Sequence, residues 1–253
     1  MNNKDRKERE ATKVLAFGVE PSNRLFRLRL SRYEALSVTL RSYVNKQDAN
    51  EEKPLRLLDI GLGRGRTLRY LEPHKEIKAI EFFGLDLSVK RLENVYKASE
   101  WRLLRADACK NAPFVDEAFD VIVIEQLLEH VPTPDFVVAE AWRLLKSGGL
   151  FIVGVPTFPP VIETFRRLIV RFMKSVFGVE RGHVESFTLG SLCRLIEGEG
   201  RFKVVKKQGF RILSGGVFSP LEDKRWWWRL NSFFGNLLPW LCTEVQVSAV
   251  KKS

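Results

Sequence analysis

The chain has 253 residues, 45% of them hydrophobic, and a formal charge of +11, which allows one sizeable core, with or without an appended subdomain. Its three cysteines, Cys109, Cys193 and Cys242, are odd in number and far apart, so they make neither a disulfide framework nor a metal-ligand cluster, and they suggest a reducing compartment. The opening M-N-N-K-D-R-K-E-R-E is polar and mixed in charge, with no apolar signal region, so a cytoplasmic location is expected.

A frayed tail runs to about Ala16, and an Arg-, Leu- and Ser-rich helical stretch follows from roughly Pro21 to Gln47, read as a cap on the core. Asp48 to Pro54 is a linker. Next comes L-R-L-L-D-I-G-L-G-R-G-R-T-L-R-Y-L, Leu55 to Leu71: an apolar strand, glycines at 61, 63 and 65, then a helical pattern from Thr67. Glycines at alternate positions permit positive φ and leave no Cβ between backbone and ligand, so this turn can press on a cofactor at a helix N-terminus. The dinucleotide fingerprint needs glycine at its sixth position, which is Arg66 here, and no Gly-Lys-Ser/Thr follows; NAD and ATP are disfavoured.

Asp59 to Gly65, D-x-G-x-G-x-G, resembles the first motif of class I S-adenosylmethionine-dependent methyltransferases, where the turn lies beside the amino-acid end of the cofactor. The βα units after it continue that likeness. Ile77 to Leu87 reads as strand two, ending in G-L-D-L, with a helix from Ser88 to Ala98; Trp101 to Ala106 reads as strand three, leading into R-A-D-A. Asp86, 21 residues past the last glycine at a strand end, is placed to accept from both ribose hydroxyls. Asp107, followed by Ala108, resembles the family residue that meets the adenine amino group. Either aspartate alone would also serve as a helix cap.

Phe119 to Ile124 is strand four, Asp135 to Leu145 a helix, and Gly149 to Val155 strand five. V-I-V-I-E-Q-L-L-E-H-V and A-W-R-L-L-K-S-G-G-L-F-I-V resemble the type-11 group, which includes ubiquinone-biosynthesis enzymes; the likeness covers about residues 55 to 156. In that group Glu125 and Gln126 border the methionine part of S-adenosylmethionine. The cofactor residues implied are Asp59, Gly61, Leu62, Gly63, Gly65, Asp86, Leu87, Asp107, Ala108, Glu125 and Gln126. Some quinone O-methyltransferases carry E-x-x-E-H and bind a divalent cation there; the matching positions are Gln126, Glu129 and His130, and a neutral amide is a poor ligand for a hard cation, so no metal is expected.

Methyl transfer requires alignment first and a general base only when the nucleophile carries a proton. His183 and Glu125 are the candidate catalytic residues, with His130 behind them; His183, in R-G-H-V-E-S-F-T, can equally be a surface histidine. From Phe158 to Phe177 apolar residues recur at helical spacing opposite Glu163, Arg167, Arg171 and Lys174, an amphipathic helix read as a lid over the acceptor, with core packing and a membrane-surface role as alternatives. Leu189 to Glu197 reads as a helix, Phe202 to Phe210 as strand six and Glu244 to Val250 as the last strand. Between them Trp226 to Leu241 is dense in aromatic residues, interrupted by Arg229, Gly235 and Pro239 and too short to span a bilayer; acceptor cover, a lipid headgroup boundary, a dimer contact and core packing are its candidate roles, and acceptor cover is the expectation.

The fold expected is a Rossmann-like, doubly wound α/β sheet of seven strands, the last antiparallel. Its parts are a tail and capping helix over 1–54 and a methyltransferase domain over 55–253 that carries a lid insertion at 157–187 and an aromatic and basic insertion at 211–241. Residues 57–156 hold 13 Lys/Arg and 15 Asp/Glu, so the excess positive charge lies on the flanks. An acceptor that is small or lipid-linked is expected, with peripheral membrane contact and a homodimer also in view. The rival readings are an RNA methyltransferase that uses the basic flanks and a non-catalytic S-adenosylmethionine-binding protein.

Overall fold

The computed structural model describes residues 28–47, 49–157, 186–214 and 216–252. His183 and the Phe158 to Phe177 stretch lie outside the described residues. Seven strands are described: β1 (Leu55–Ile60), β2 (Ile80–Asp86), β3 (Arg102–Arg105), β4 (Phe119–Glu125), β5 (Leu145–Pro156), β6 (Phe202–Phe210) and β7 (Glu244–Lys251). They make one sheet in the order β3-β2-β1-β4-β5-β7-β6. The first five are parallel, and β7 runs antiparallel to both β5 and β6. This is the doubly wound architecture expected from the sequence, with β7 as the reversed strand.

Six α-helices are described: α1 (Ser31–Val44), α2 (Arg66–Leu71), α3 (Val89–Ala98), α4 (Pro134–Leu144), α5 (Leu189–Glu197) and α6 (Arg225–Leu237). Successive strand residues face opposite ways, so each strand feeds two cores. On one face Leu57, Val121, Val123 and Ile152 pack with Leu36 and Leu40 of α1 and Val95 of α3. On the other, Leu58, Ile122, Phe151 and Val247 pack with Val137 and Ala141 of α4 and Leu192 of α5. The described part of the Pro21 to Gln47 stretch thus packs on the first of these faces of the sheet.

Some boundaries move for local reasons. Ile77 falls in a single 3₁₀ turn, Lys75–Ala79, so β2 starts at Ile80. β5 starts at Leu145, ahead of the glycine pair, because Leu145 already pairs with Phe119 before the register shifts toward Val121. The aromatic segment runs as α6 through Gly235 to Leu237, and a 3₁₀ turn, Pro239–Leu241, follows. A Cβ at Gly235 would run into the Gly209 carbonyl, so glycine is what lets α6 lie directly on β6.

Candidate active site

The carboxyl ends of β1, β2, β3 and β4 surround a cleft of about 660 Å³. Its floor is the glycine turn. Gly61, Gly63 and Gly65 have φ of +72°, +57° and +66°, values that side chains with a Cβ rarely take, and the turn is tied to β2 where Gly61 N donates to the Leu85 carbonyl at 2.7 Å. Leu62 lines the cleft while its own side chain is buried among the core residues beneath. Gly65 does not line the cleft; it sits immediately before α2.

Asp86, at the end of β2, spans the turn and the next helix. Its Oδ2 accepts from Gly63 N at 3.0 Å, its Oδ1 from Ser88 N at 2.8 Å, and Arg91 lies 3.5 Å from Oδ2. The helix cap is Ser88, whose Oγ accepts from Arg91 N. Asp86 is therefore freed from capping and lines the cleft with Leu87, which is largely exposed there. Asp107 accepts from Cys109 N at 2.9 Å, an Asx turn that holds its carboxylate and Ala108 on the opposite wall.

The remaining end of the cleft is the more charged one. Asp59 is buried, and burial pushes its pKa up to about 7 against a hydrogen bond with Thr67. Glu125, at the end of β4, is also buried, and burial raises it to about 8 despite Arg32 and Gln246. Gln246 Nε2 donates to Glu125 Oε1 at 2.6 Å, and Arg32 Nε stands 3.4 Å from Oε2. Arg32 also meets Glu244 at 2.9 Å, and Arg211 meets Glu244 at 2.8 Å. Room for Glu125 comes from Gly154, its partner on β5, where an added Cβ would collide with the carboxylate.

Gln126 follows with φ +56°, its N–H donating to the Gly154 carbonyl at 2.8 Å, and its buried Nε2 has no hydrogen-bond partner among the described residues. His130 is on the rim, half exposed, with Nε2 3.8 Å from Glu129; Glu129 is buried, raised to about 7 by burial, and does not line the cleft. Of Gln126, Glu129 and His130, the first and last line the cleft and Glu129 does not.

The cleft unites ten of the eleven cofactor residues expected from the sequence, Gly65 being the exception. Tyr33 of α1, Arg64, Arg66, Thr67 and Arg91 were not foreseen. Arg66 immediately follows the last glycine and was readable as a turn cation; nothing local marks Tyr33. Trp226 to Leu241 line no part of this cleft, and the Phe158 to Phe177 stretch with which they were expected to form the acceptor side lies outside the described residues. Trp226 to Leu241 pack on β6, at the sheet edge, and β5 and β7 lie between that strand and β4.

The type-11 methyltransferase domain family matches residues 58–153. This chain carries a type-11 methyltransferase domain. The match covers β1 through β5, the strands that build the cleft, and this methyltransferase has sequence relatives that extend further. It is 26% identical over 173 residues to the ubiquinone biosynthesis O-methyltransferase of Aeromonas salmonicida, spanning 67% of this chain and 69% of that one. It is 31% identical over 115 residues to the demethylmenaquinone methyltransferase of Thermus thermophilus, spanning 44% of this chain and 51% of that one. A solved methyltransferase from Archaeoglobus fulgidus shares the fold at 16% identity, with a TM-score of 0.53 over 87% of this chain and 94% of that one.

Proposed function

We propose that this methyltransferase binds S-adenosylmethionine in the cleft and transfers its methyl group in line to an oxygen, nitrogen or carbon nucleophile of a small or lipid-linked acceptor. The observation that carries the reading is the convergence of the glycine turn, Asp86 and Asp107 on one cleft whose far end holds two buried carboxylates. The residues suit the cofactor along its length. Asp107 matches the adenine and Asp86 the ribose hydroxyls. Asp59 and Glu125 suit the ammonium at the amino-acid end, and Arg66 or Tyr33 the carboxylate. Gln126 Nε2, buried and unpartnered among the described residues, is a further donor for that end.

The cofactor supplies an electrophilic methyl on a sulfonium. The protein's part is to exclude water, orient the acceptor and remove a proton where there is one. Glu125 is better suited to holding a cation than to taking that proton, since one oxygen already accepts from Gln246 and the other faces Arg32. His130 on the rim is the candidate proton acceptor among the described residues, and His183 is the candidate outside them. The lipid-linked acceptor draws support from the names of two relatives, which speak of ubiquinone and demethylmenaquinone. We further assign 1–54 to a tail and capping helix and 157–187 to an acceptor lid.

Calorimetry with S-adenosylmethionine and with its demethylated product tests the cofactor. Binding should be clear in the parent and weakened by Asp86→Ala; no heat with either ligand in folded protein, with the variant indistinguishable, overturns the reading. Transfer of a labelled methyl to phenolic quinone precursors in a lipid extract tests the acceptor. Label incorporated into RNA instead, with salt-sensitive RNA binding, would favour the nucleic-acid reading. Cofactor binding with no transfer to either would favour a non-catalytic binding protein.

A further inference from the structure

Helix α6 has two faces of opposite character. Trp227, Asn231 and Gly235, four residues apart, are buried against β6, and Trp227 stacks on Phe218 at 5.5 Å. Asn231 fastens the helix at both ends of its amide: Nδ2 donates to the Trp227 carbonyl at 3.0 Å and Oδ1 accepts from Leu213 N at 3.2 Å. The bond from Leu213 ties the helix to the segment after β6 and opposes its rolling. The opposite face is thereby held in water: Trp226 is 56% exposed, Phe233 66% and Leu237 59%, at the i, i+7, i+11 spacing of one stripe, and Trp240, in the 3₁₀ turn Pro239–Leu241 after the helix, is 48% exposed. Lys224, Arg225 and Arg229 flank the stripe, all exposed. Exposed Lys203, Lys206 and Lys207 lie on the neighbouring β6. From Arg201 to Arg229 there are eight basic residues and two acidic ones.

We infer that this face of α6 docks on an anionic lipid bilayer, with Trp226, Phe233, Leu237 and Trp240 entering the headgroup boundary and the flanking cations meeting lipid phosphates. A short helix of this kind, with apolar residues outward and cations beside them, lies in an interface; no helix among the described residues is long and apolar enough to cross a membrane. Tryptophan beside arginine suits that boundary, where one part of the side chain is apolar and the other wet. The topology gives the contact a use. Because β5 and β6 are both antiparallel to β7, they are parallel to each other, and α6 leaves from the same end of the sheet at which the cleft opens. Docking there would present the cleft end of the sheet to the membrane. The inference does not depend on the acceptor.

The test is sedimentation of the full chain with vesicles of phosphatidylcholine, with and without phosphatidylglycerol. The chain should sediment with the anionic vesicles and be released by salt. Phe233→Ser with Leu237→Ser should lower that affinity about tenfold or more, since two apolar side chains no longer leave water. Arg225→Glu with Arg229→Glu should abolish the preference for phosphatidylglycerol. All these residues are exposed and outside the cleft, so unchanged affinity for the demethylated cofactor product reports an intact fold. Absence of association with any vesicle overturns the inference, as does binding unaltered in the serine variant. Sedimentation velocity separates the rival occupant: a dimer that the serine variant dissociates, without vesicle binding by the parent, would make this face a self-association surface and overturn the inference.

Discussion

Gly154→Ala probes the support beneath the charged end of the cleft. An added Cβ would stand 2.5 Å from Glu125 Oε1 and 2.6 Å from its Cδ, well inside van der Waals contact, so the carboxylate would have to retreat by about 1 Å. The atoms it would meet are not the free end of a mobile chain. Gln246 holds Oε1 at 2.6 Å and Arg32 faces Oε2, so displacement breaks a buried hydrogen bond while leaving both partners buried. Overpacking costs about 1–3 kcal/mol, and loss of the hydrogen bond from Gln246 about 0.5–1.5 kcal/mol. The expected destabilisation is therefore about 1.5–4.5 kcal/mol by urea denaturation, with a weaker affinity for S-adenosylmethionine. Gly198→Ala is the control, since its Cβ would meet open space and its φ of −53° suits alanine. Stability within about 0.5 kcal/mol of the parent, together with unchanged cofactor affinity, would refute the reasoning.

Burial raises Asp59 to about 7 and Glu125 to about 8, from ordinary values near 4, so the folded cofactor-free protein holds protons that the unfolded chain releases. Its stability should fall as pH rises from about 4 to about 8, whereas affinity for the cationic amino-acid end should rise with pH through about 7. Calorimetry in two buffers of different ionisation heat should detect protons released on binding, and pH-independent affinity without release would contradict the assignment. Asp107→Ala removes the acceptor expected for the adenine amino group and the Asx turn that places it; affinity for the demethylated product should drop about 10- to 100-fold by calorimetry. Thr188→Ala breaks the capping box in which Thr188 Oγ1 accepts from Ser191 N at 3.1 Å. It should cost about 1 kcal/mol of stability in urea denaturation while leaving cofactor affinity unchanged, because α5 packs on the face formed with α4, away from the cleft.

Much of this protein is written in local pattern. The strand, the three glycines and the helix after them follow one another within 17 residues, and Asp86 and Asp107 are legible because each closes an apolar strand whose carboxyl end borders the cleft. Period-two alternation then assigns each strand residue to one of two cores without long-range information. Contacts between distant segments leave no such trace. Tyr33 reaches the cleft from α1, and Glu125 takes its partner Gln246 from 121 residues away, because β7 returns antiparallel beside β5 and brings Gln246 opposite Gly154. Gly154 reads in sequence as one small residue in a buried strand; only the register shows that its missing side chain makes space for a carboxylate. Gly235 reads as a break, yet α6 runs through it because the helix needs that approach to Gly209. The aromatic run announced an apolar surface, but which of its residues would face the sheet and which the solvent depended on where β6 put the helix, and that position exists only in the folded chain.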